Sequence, residues 1–438
     1  MDELNYEQKV CFDAAMTNQN VFISGPGGVG KSFVLRAITE EFKLRNRRYR
    51  VTASTGVAAL NVGGITIHSL LSTGIFGSVS QAQSLLGTRQ FHRAMERLQF
   101  VETIIVDEVS MLSGDYIQML DFWLKQVRSD PEPFGGCQMI FCGDFLQLPP
   151  VEKRESPVQW QYAFQSPAWK DADFKEVDMH FSWRQEDQTF VNALNIVRFG
   201  QYPKEVRKIF RPCVGRELDM PTHLVCTNKE ADEINFAHLL AHEGTEYTSK
   251  PLFTIEKNYI KSKPDWASEV KARMSKDSLT DNPLRIKVGV PVLLLKNSVD
   301  LMYVNGTRGI VDSVKLFEHG EIDSISVKLA DGSVIQVRKE EYTKFNGDGD
   351  REATMRHFPM RLGWALTIHK SQGLTLDNVE IDLGRGFAYG QAYVALSRMK
   401  SLEGLALTDA INPSIVKADP ELVKFYDEIV IKHGGDIR

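Results

Sequence analysis

The residues best suited to chemistry begin at Gly25-Pro26-Gly27-Gly28-Val29-Gly30-Lys31-Ser32, which fits the pattern Gly, four residues, Gly-Lys-Ser. Gly25, Gly27, Gly28 and Gly30, with Val29 among them, let backbone N–H groups turn inward around a triphosphate. Lys31 is placed to reach the outer phosphates, and the Ser32 hydroxyl can ligate Mg²⁺. A second group, Asp107-Glu108, ends the buried-strand pattern Val101 to Val106. Downstream of a phosphate loop, such a pair supplies what ATP hydrolysis otherwise lacks: Asp107 to hold Mg²⁺ and Glu108 to orient and activate water. A third group follows the apolar run Met139-Ile140-Phe141-Cys142, as Gly143-Asp144-Phe145-Leu146-Gln147-Leu148-Pro149-Pro150. Its double proline stiffens the exit and holds Gln147 in place.

These groups need a scaffold that brings strand ends together. Val21-Phe22-Ile23 reads as a strand entering the glycine loop, and the helix that starts there turns its positive end toward the phosphates. Residues 1 to about 20 read as a helix carrying Gln8, whose amide offers a donor and an acceptor to the adenine edge and so favours ATP. Tyr49 to Ala53 reads as a second strand, ending in Ser54-Thr55-Gly56-Val57-Ala58-Ala59. Small hydroxyl residues and a glycine there can contact backbone phosphates, and a helix cap at Ser54 or Thr55 is equally natural. In open α/β sheets ligands bind outside the carboxyl ends of the strands, so these loops should share one crevice.

Glycine breaks over residues 61 to about 95 indicate a small inserted excursion. Pro221 to Asn228 reads as a strand and turn opening a second unit. From Val288 to Glu341 the apolar period becomes that of strands, punctuated by Asn305-Gly306 and Asp331-Gly332, which predicts a small β-barrel insertion. The last 80 residues return to α/β.

Bulk properties bound the remaining readings. A chain of 438 residues implies two or three domains, and 42% apolar with 25% charged residues is ordinary globular usage. No apolar run approaches a membrane span, and the acidic start resembles neither a secretory signal nor a transit peptide, so an intracellular protein is expected, cytoplasmic and nucleoid-associated if bacterial. Five scattered cysteines suggest neither disulfides nor a zinc ribbon. His238 and His242 lack the neighbouring Glu of a zinc hydrolase. With 52 basic against 57 acidic residues, the net charge of −5 argues against a DNA-coating protein while allowing a local basic channel.

Taken in order, these motifs resemble the Pif-type superfamily-one DNA helicases, in the same branch as RecD. The resemblance rests on Gly25 to Ser32, Ser54 to Ala59, Gly64-Ile65-Thr66-Ile67-His68-Ser69, Asp107 to Leu112 and Gly143 to Pro150. Thr367-Ile368-His369-Lys370-Ser371-Gln372-Gly373 and Tyr393-Val394-Ala395-Leu396-Ser397-Arg398 complete it. It implies two RecA-like domains with ATP between them: 1–183 with an insertion at about 61–95, then 184–287 with 359–438, and an SH3-like β-barrel at 288–358. Arg184 and Arg398 would reach across the cleft to the γ-phosphate, and Lys370, Gln372 and Gly373 would lie on the nucleotide side. Trp183 stands where the family usually has Phe.

Single-stranded DNA would be gripped by Thr55, Gly56, Thr227, Asn228, Thr367, His369 and Ser371 through neutral donors, which a motor that must release its track at each step can use. His68 and Ser69 would meet the junction with duplex. The activity implied is ATP- and Mg²⁺-dependent translocation, 5′ to 3′, with unwinding by a monomer; G-quadruplexes and RNA–DNA hybrids are open as further partners. The alternative is a strand-stimulated ATPase that remodels DNA or displaces proteins without unwinding.

Overall fold

The computed structural model describes residues 4–55, 58–59, 62–71, 78–150, 159–255, 266–277, 280–296, 303, 306–345, 351–384 and 388–432. In the first unit the strands are β1 (Val21–Ser24), β2 (Tyr49–Ala53), β3 (Ile65–Thr66), β4 (Thr103–Asp107), β5 (Gln138–Cys142) and β6 (Lys175–Asp178). They form one sheet in the order β3-β2-β4-β5-β1-β6, parallel throughout. β1, β4 and β5 have apolar centres and are buried along their whole length, as strands covered on both faces must be. Parallel order has a direct consequence for chemistry. Asp107, Gly143 and Gly25 all leave the sheet at one edge, and the Gly143 N–H donates to the Ile23 carbonyl at 3.1 Å.

Helix α1 (Tyr6–Met16) starts at a capping box, in which the Asn5 side chain accepts from the Gln8 N–H and the Gln8 side chain accepts from the Asn5 N–H. Helix α2 (Lys31–Leu44) starts directly after the glycine loop and buries Val34, Leu35, Ile38 and Phe42. Helix α3 (Gly114–Arg128) is capped by Ser113 and lays Ile117, Leu120 and Leu124 into the core. The excursion after β2 does not stand apart from this unit. Ile65–Thr66 extends the main sheet as β3, and Leu70, Leu71, Ala82, Ala94 and Leu98 join the core beside α3.

A second parallel sheet, of four strands, has the order Ala365–Thr367, Thr222–Val225, Val379–Ile381, Leu405–Leu407. Helices α4 (Gln188–Arg198) and α5 (Gln391–Leu396) cover it through Phe190, Leu194, Val197, Val394 and Leu396. The region between these strands is β-rich but is not one closed ring among the described residues. A five-stranded antiparallel sheet runs Val334–Arg338, Ile322–Leu329, Arg308–Leu316, Pro291–Leu294, Met360–Leu362. A separate three-stranded sheet joins Glu340–Phe345, Arg351–His357 and Leu252–Ile255, and packs with Val270 and Met274 of the helix Trp266–Asp277. An SH3-like barrel confined to 288–358 therefore differs from the observed pairing, which draws in Leu252–Ile255 from well upstream. Asn305, expected in a hairpin turn, lies outside the described residues.

The end of the chain departs from sequence order. Helix α6 (Pro420–Lys432) follows the second sheet, yet its Leu422, Phe425, Tyr426 and Ile429 pack in the core of the first unit. Phe425 stacks on Phe164 with ring centroids 4.0 Å apart and lies 5.6 Å from Phe145. The resemblance assigns 359–438 to the second domain, but an amphipathic helix does not specify which of two neighbouring cores receives its apolar face. No described helix is long and apolar enough to cross a membrane.

Candidate active site

Backbone conformation shapes the glycine loop. Gly25, Gly28 and Gly30 have φ of 138°, 96° and 88°, a region that disfavours side chains. A Cβ on Gly25 would stand 2.4 Å from the Met179 carbonyl oxygen. Gly30 caps α2 without any side-chain hydrogen bond, so the first N–H groups of α2 are left for an anion. Val29 is buried beneath the loop among Val34, Leu35 and Ile23. Lys31 Nζ donates to the carbonyls of Gly25 and Pro26 at 2.7 and 3.0 Å, which keeps its ammonium at the mouth of the loop. Gln8 is 1% exposed, and its Nε2 approaches to 2.6 Å of a Cβ placed on Gly30. Its Oε1 is engaged by the capping box, which leaves the amide donor facing the loop.

The acidic pair sits where its strand predicted. Asp107 ends β4, is 8% exposed, and accepts from the Glu108 N–H at 2.9 Å. Burial raises its pKa, with the nearby Lys31 charge opposing. Glu108 has φ 53° and ψ 43°, a left-handed conformation that is strained for a non-glycine residue. Burial, then repulsion from Asp107, pushes its carboxyl up to about 7 against the pull of Lys31 and Arg398. A base tuned near neutrality is suited to proton transfer at ordinary pH. For Mg²⁺ the donors that fit are the Ser32 hydroxyl and the Asp107 carboxylate, both hard oxygen ligands. The described residues contain no cluster of three or more His, Cys, Asp or Glu able to hold a metal, so such an ion would take its remaining ligands from phosphate and water.

Residues from the second unit complete the site. Arg184 Nε donates to Thr375 Oγ1 at 3.0 Å and its Nη1 to the Ser397 carbonyl at 2.8 Å. Arg398, 1% exposed, donates from Nε to the Val394 carbonyl at 2.9 Å and from Nη2 to Ser397 Oγ at 2.8 Å. Both guanidinium groups aim at one point of the loop: a Cβ on Gly27 would lie 2.9 Å from Arg398 Nη2 and 3.3 Å from Arg184 Nη1. Burial, then the charge of Arg398, presses the Arg184 pKa down to about 9, and burial lowers that of Arg398. Two like charges, one buried and one half-buried, facing the N–H groups of the glycine loop make a receptor for a polyanion. Gln372 Nε2 donates to Glu108 Oε2 and to Gln147 Oε1, each at 3.2 Å, joining the Glu108 carboxylate to the second unit. Gly373 follows it with φ 81°.

Other expected residues fall differently. The Lys370 ammonium lies among Arg361, Asp232 and Asp281, on the side of the β-rich insertion and not at the glycine loop. Ser371 is fully buried and donates to the Ile368 carbonyl at 2.7 Å, so its hydroxyl is not presented to a DNA strand. Thr367, 3% exposed, accepts from the Lys370 N–H at 3.2 Å. Thr227 caps its helix by accepting from the Glu230 N–H at 3.2 Å, and Thr55 accepts from the Ala58 N–H at 3.2 Å. Ser69 Oγ pairs with Thr66 Oγ1 at 2.8 Å, and the His68 ring rests 4.7 Å from that of Tyr116. Asn228 and His369 stay exposed, and Gly56 lies outside the described residues. Sequence reasoning assigned no role to Tyr393, whose hydroxyl accepts from the Gly27 N–H at 3.1 Å. Its place five residues before Arg398, on the helix that leads to that arginine, was the available signal.

Comparison with known proteins agrees with this geometry. A family model described as PIF1-like helicase matches residues 3–208, and one described as DNA helicase Pif1, 2B domain, matches residues 269–314. The chain is 35% identical over 434 residues to the ATP-dependent DNA helicase PIF1 of Danio rerio, covering 98% of this chain but 64% of that protein. Against the ATP-dependent DNA helicase Pif1 of Bdellovibrio bacteriovorus it is 33% identical over 428 residues, covering 97% of this chain and 92% of the relative. The chain thus spans less than two thirds of the vertebrate relatives and nearly all of the bacterial one. The solved structure of Bacteroides sp Pif1 in complex with ADP-AlF4 superposes with a TM-score of 0.82 at 26% identity, covering 99% of this chain and 98% of that one. Bacteroides Pif1 bound to ssDNA gives 0.66 at 26% identity over the same shares. The two parallel-sheet units are accordingly RecA-like domains.

Proposed function

The chain belongs to the PIF1-like helicase family, and from that premise we propose that it is an ATP-dependent DNA helicase that translocates on single-stranded DNA, 5′ to 3′, and separates duplex ahead of it. The observation that carries the reading is the convergence of Arg184 and Arg398 on Gly27, because it makes hydrolysis depend on two domains at once. The structure named for a relative with ADP-AlF4 and the one named for ssDNA support the same ligands here.

The triphosphate lies along the N–H groups of Gly28 to Ser32, and Lys31 exchanges its carbonyl partners for phosphate oxygens. Ser32 and Asp107 would hold Mg²⁺, which would neutralise phosphate charge when bound. Negative charge between Arg184 and Arg398 relieves their mutual repulsion and draws the cleft closed. Glu108 takes a proton from the attacking water, with Gln147 and Gln372 fixing the carboxylate. Loss of the γ-phosphate returns the repulsion and opens the cleft, so each cycle moves one domain along the strand.

Unwinding of duplexes with a 5′ tail, a 3′ tail or no tail, with and without ATP, tests this reading. ATP-dependent separation of the 5′-tailed duplex alone is expected. Rapid strand-stimulated hydrolysis that leaves every duplex intact would replace the helicase reading with that of a remodelling ATPase.

A further inference from the structure

A buried polar node of Arg198, Asp144, Tyr426 and Ser24 lies behind the ATP site. Arg198, the last residue of α4, is 1% exposed and meets the fully buried Asp144 in a fork: Nη2 donates to Oδ1 at 2.9 Å, and Nε stands 3.3 and 3.2 Å from the two oxygens. Its guanidinium also lies 4.8 Å over the ring of Tyr426, from α6. The Tyr426 hydroxyl donates to Asp144 Oδ1 at 3.2 Å and accepts from the Phe145 N–H at 3.1 Å. A phenol has one proton and two lone pairs, so the remaining contact, to Ser24 Oγ at 2.8 Å, has the serine as donor.

Every member of the node touches a part of the ATP site. Ser24 is the residue before Gly25 of the phosphate loop. Asp144 begins the turn that ends at Gln147: its carboxylate accepts from the Leu146 N–H at 3.1 Å, its carbonyl from the Gln147 N–H at 3.1 Å, and Gln147 Nε2 approaches Oδ2 to 3.5 Å. The same turn abuts the start of α5, since a Cβ on Gly390 would stand 2.1 Å from the Gln147 carbonyl. α5 carries Tyr393 and leads to Arg398. Arg184 precedes α4 and Arg198 ends it, so one rigid helix of roughly 16 Å separates the arginine at the phosphates from the one anchored in the first domain.

We propose that Tyr426 and Arg198 are positioning residues for ATP hydrolysis: they clamp Asp144, and through its turn hold Gln147 against Gln372 and Glu108. The C-terminal helix α6 is thereby part of the ATP machinery, and the clamp is the fixed point about which α4 carries Arg184. This inference rests on the ATPase reading above. An Asp144 held only by its own turn would be free to rotate, and Gln147 would lose its register.

The test is Tyr426→Phe, which keeps the ring and removes one hydroxyl, measured alone and combined with Gln147→Ala, beside Arg198→Lys. The expected result for Tyr426→Phe is kcat for strand-stimulated ATP hydrolysis lowered about tenfold, KM for ATP within about twofold, and a melting temperature lowered by only about 2–4 °C, since the buried Phe145 N–H loses its acceptor. Arg198→Lys, which keeps the charge but not the fork, should lower kcat in the same way. In the Gln147→Ala background Tyr426→Phe should cost nothing further, since it acts through the missing side chain. An unimpaired Tyr426→Phe overturns the inference, as does a loss that multiplies with that of Gln147→Ala. A wild type that hydrolyses no ATP overturns the parent reading and this one together, whereas a hydrolysing wild type beside an unimpaired variant overturns this one alone.

Discussion

The ATP cleft and the loops expected to face DNA are built on opposite principles. In the cleft, charged groups are held under tension: Glu108 in a left-handed backbone with its carboxyl raised to about 7, and two arginines pressed together over Gly27. At the loops expected to face DNA the hydroxyls of Thr55, Thr227, Thr367 and Ser371 are satisfied within their own turns, as caps or buried donors. The contrast separates two kinds of functional residue. A catalytic site gains from groups that a ligand relieves, whereas a track that must be released at each step gains from loops whose shape is complete without it. For the second kind, loss of a side chain acts first on the loop and only then on the ligand.

The largest break in this contrast should come at the arginines. Arg398→Ala is expected to lower kcat about 10³-fold with nucleotide binding retained, and Arg398→Lys should not restore it, because an ammonium lacks the planar fork; steady-state kinetics with a nucleotide-binding titration reads both. Gly27→Ala places a methyl group 2.9 Å from Arg398 Nη2 and 3.3 Å from Arg184 Nη1, and should lower kcat about tenfold in the same assay. A Gly27→Ala enzyme of full activity would mean that the two guanidinium groups do not converge on the loop during turnover.

The pH dependence sharpens the comparison on the cleft side. Glu108 must be ionised to accept a proton, and its pKa is raised, so kcat/KM should climb as pH rises through about 7 and level off above it. A profile flat down to about pH 5 would mean an ordinary carboxylate at this position. The smallest effect is expected on the DNA side. Thr227→Ala removes a helix cap and should lower stability by about 1 kcal/mol while changing single-strand affinity by no more than about threefold, whereas Thr227→Ser should retain both. Thermal melting and a strand-binding titration separate the outcomes. A large affinity loss at unchanged stability would make Thr227 a direct grip and erase the contrast drawn here.

Asp107 and Glu108 were legible from the sequence because a buried strand with Ile104-Ile105-Val106 at its centre and two acids at its end leaves them only one place to go, the edge shared with the glycine loop. Arg184 carried no such mark; only the ordered set of motifs pointed to it. Lys370 and Ser371 lie in a run of the expected type, yet one turns toward the insertion and the other into the loop, since side-chain direction after a short strand depends on what packs beside it.

By itself, the sequence determined the strand–loop–helix units, the left-handed turns that glycine permits, and the order of the motifs, all of which follow from local periodicity and backbone sterics. Tertiary structure alone decided which charges meet. Tyr426 and Ser24 are 402 positions apart, Arg198 and Asp144 are 54 apart, and Gln372 reaches Glu108 across 264. No local pattern encodes such pairings. They arise because α6 buries its apolar face in the first domain and loops that follow strands of the two sheets meet at the glycine loop, and only that packing removes the water that would otherwise screen one charge from the next.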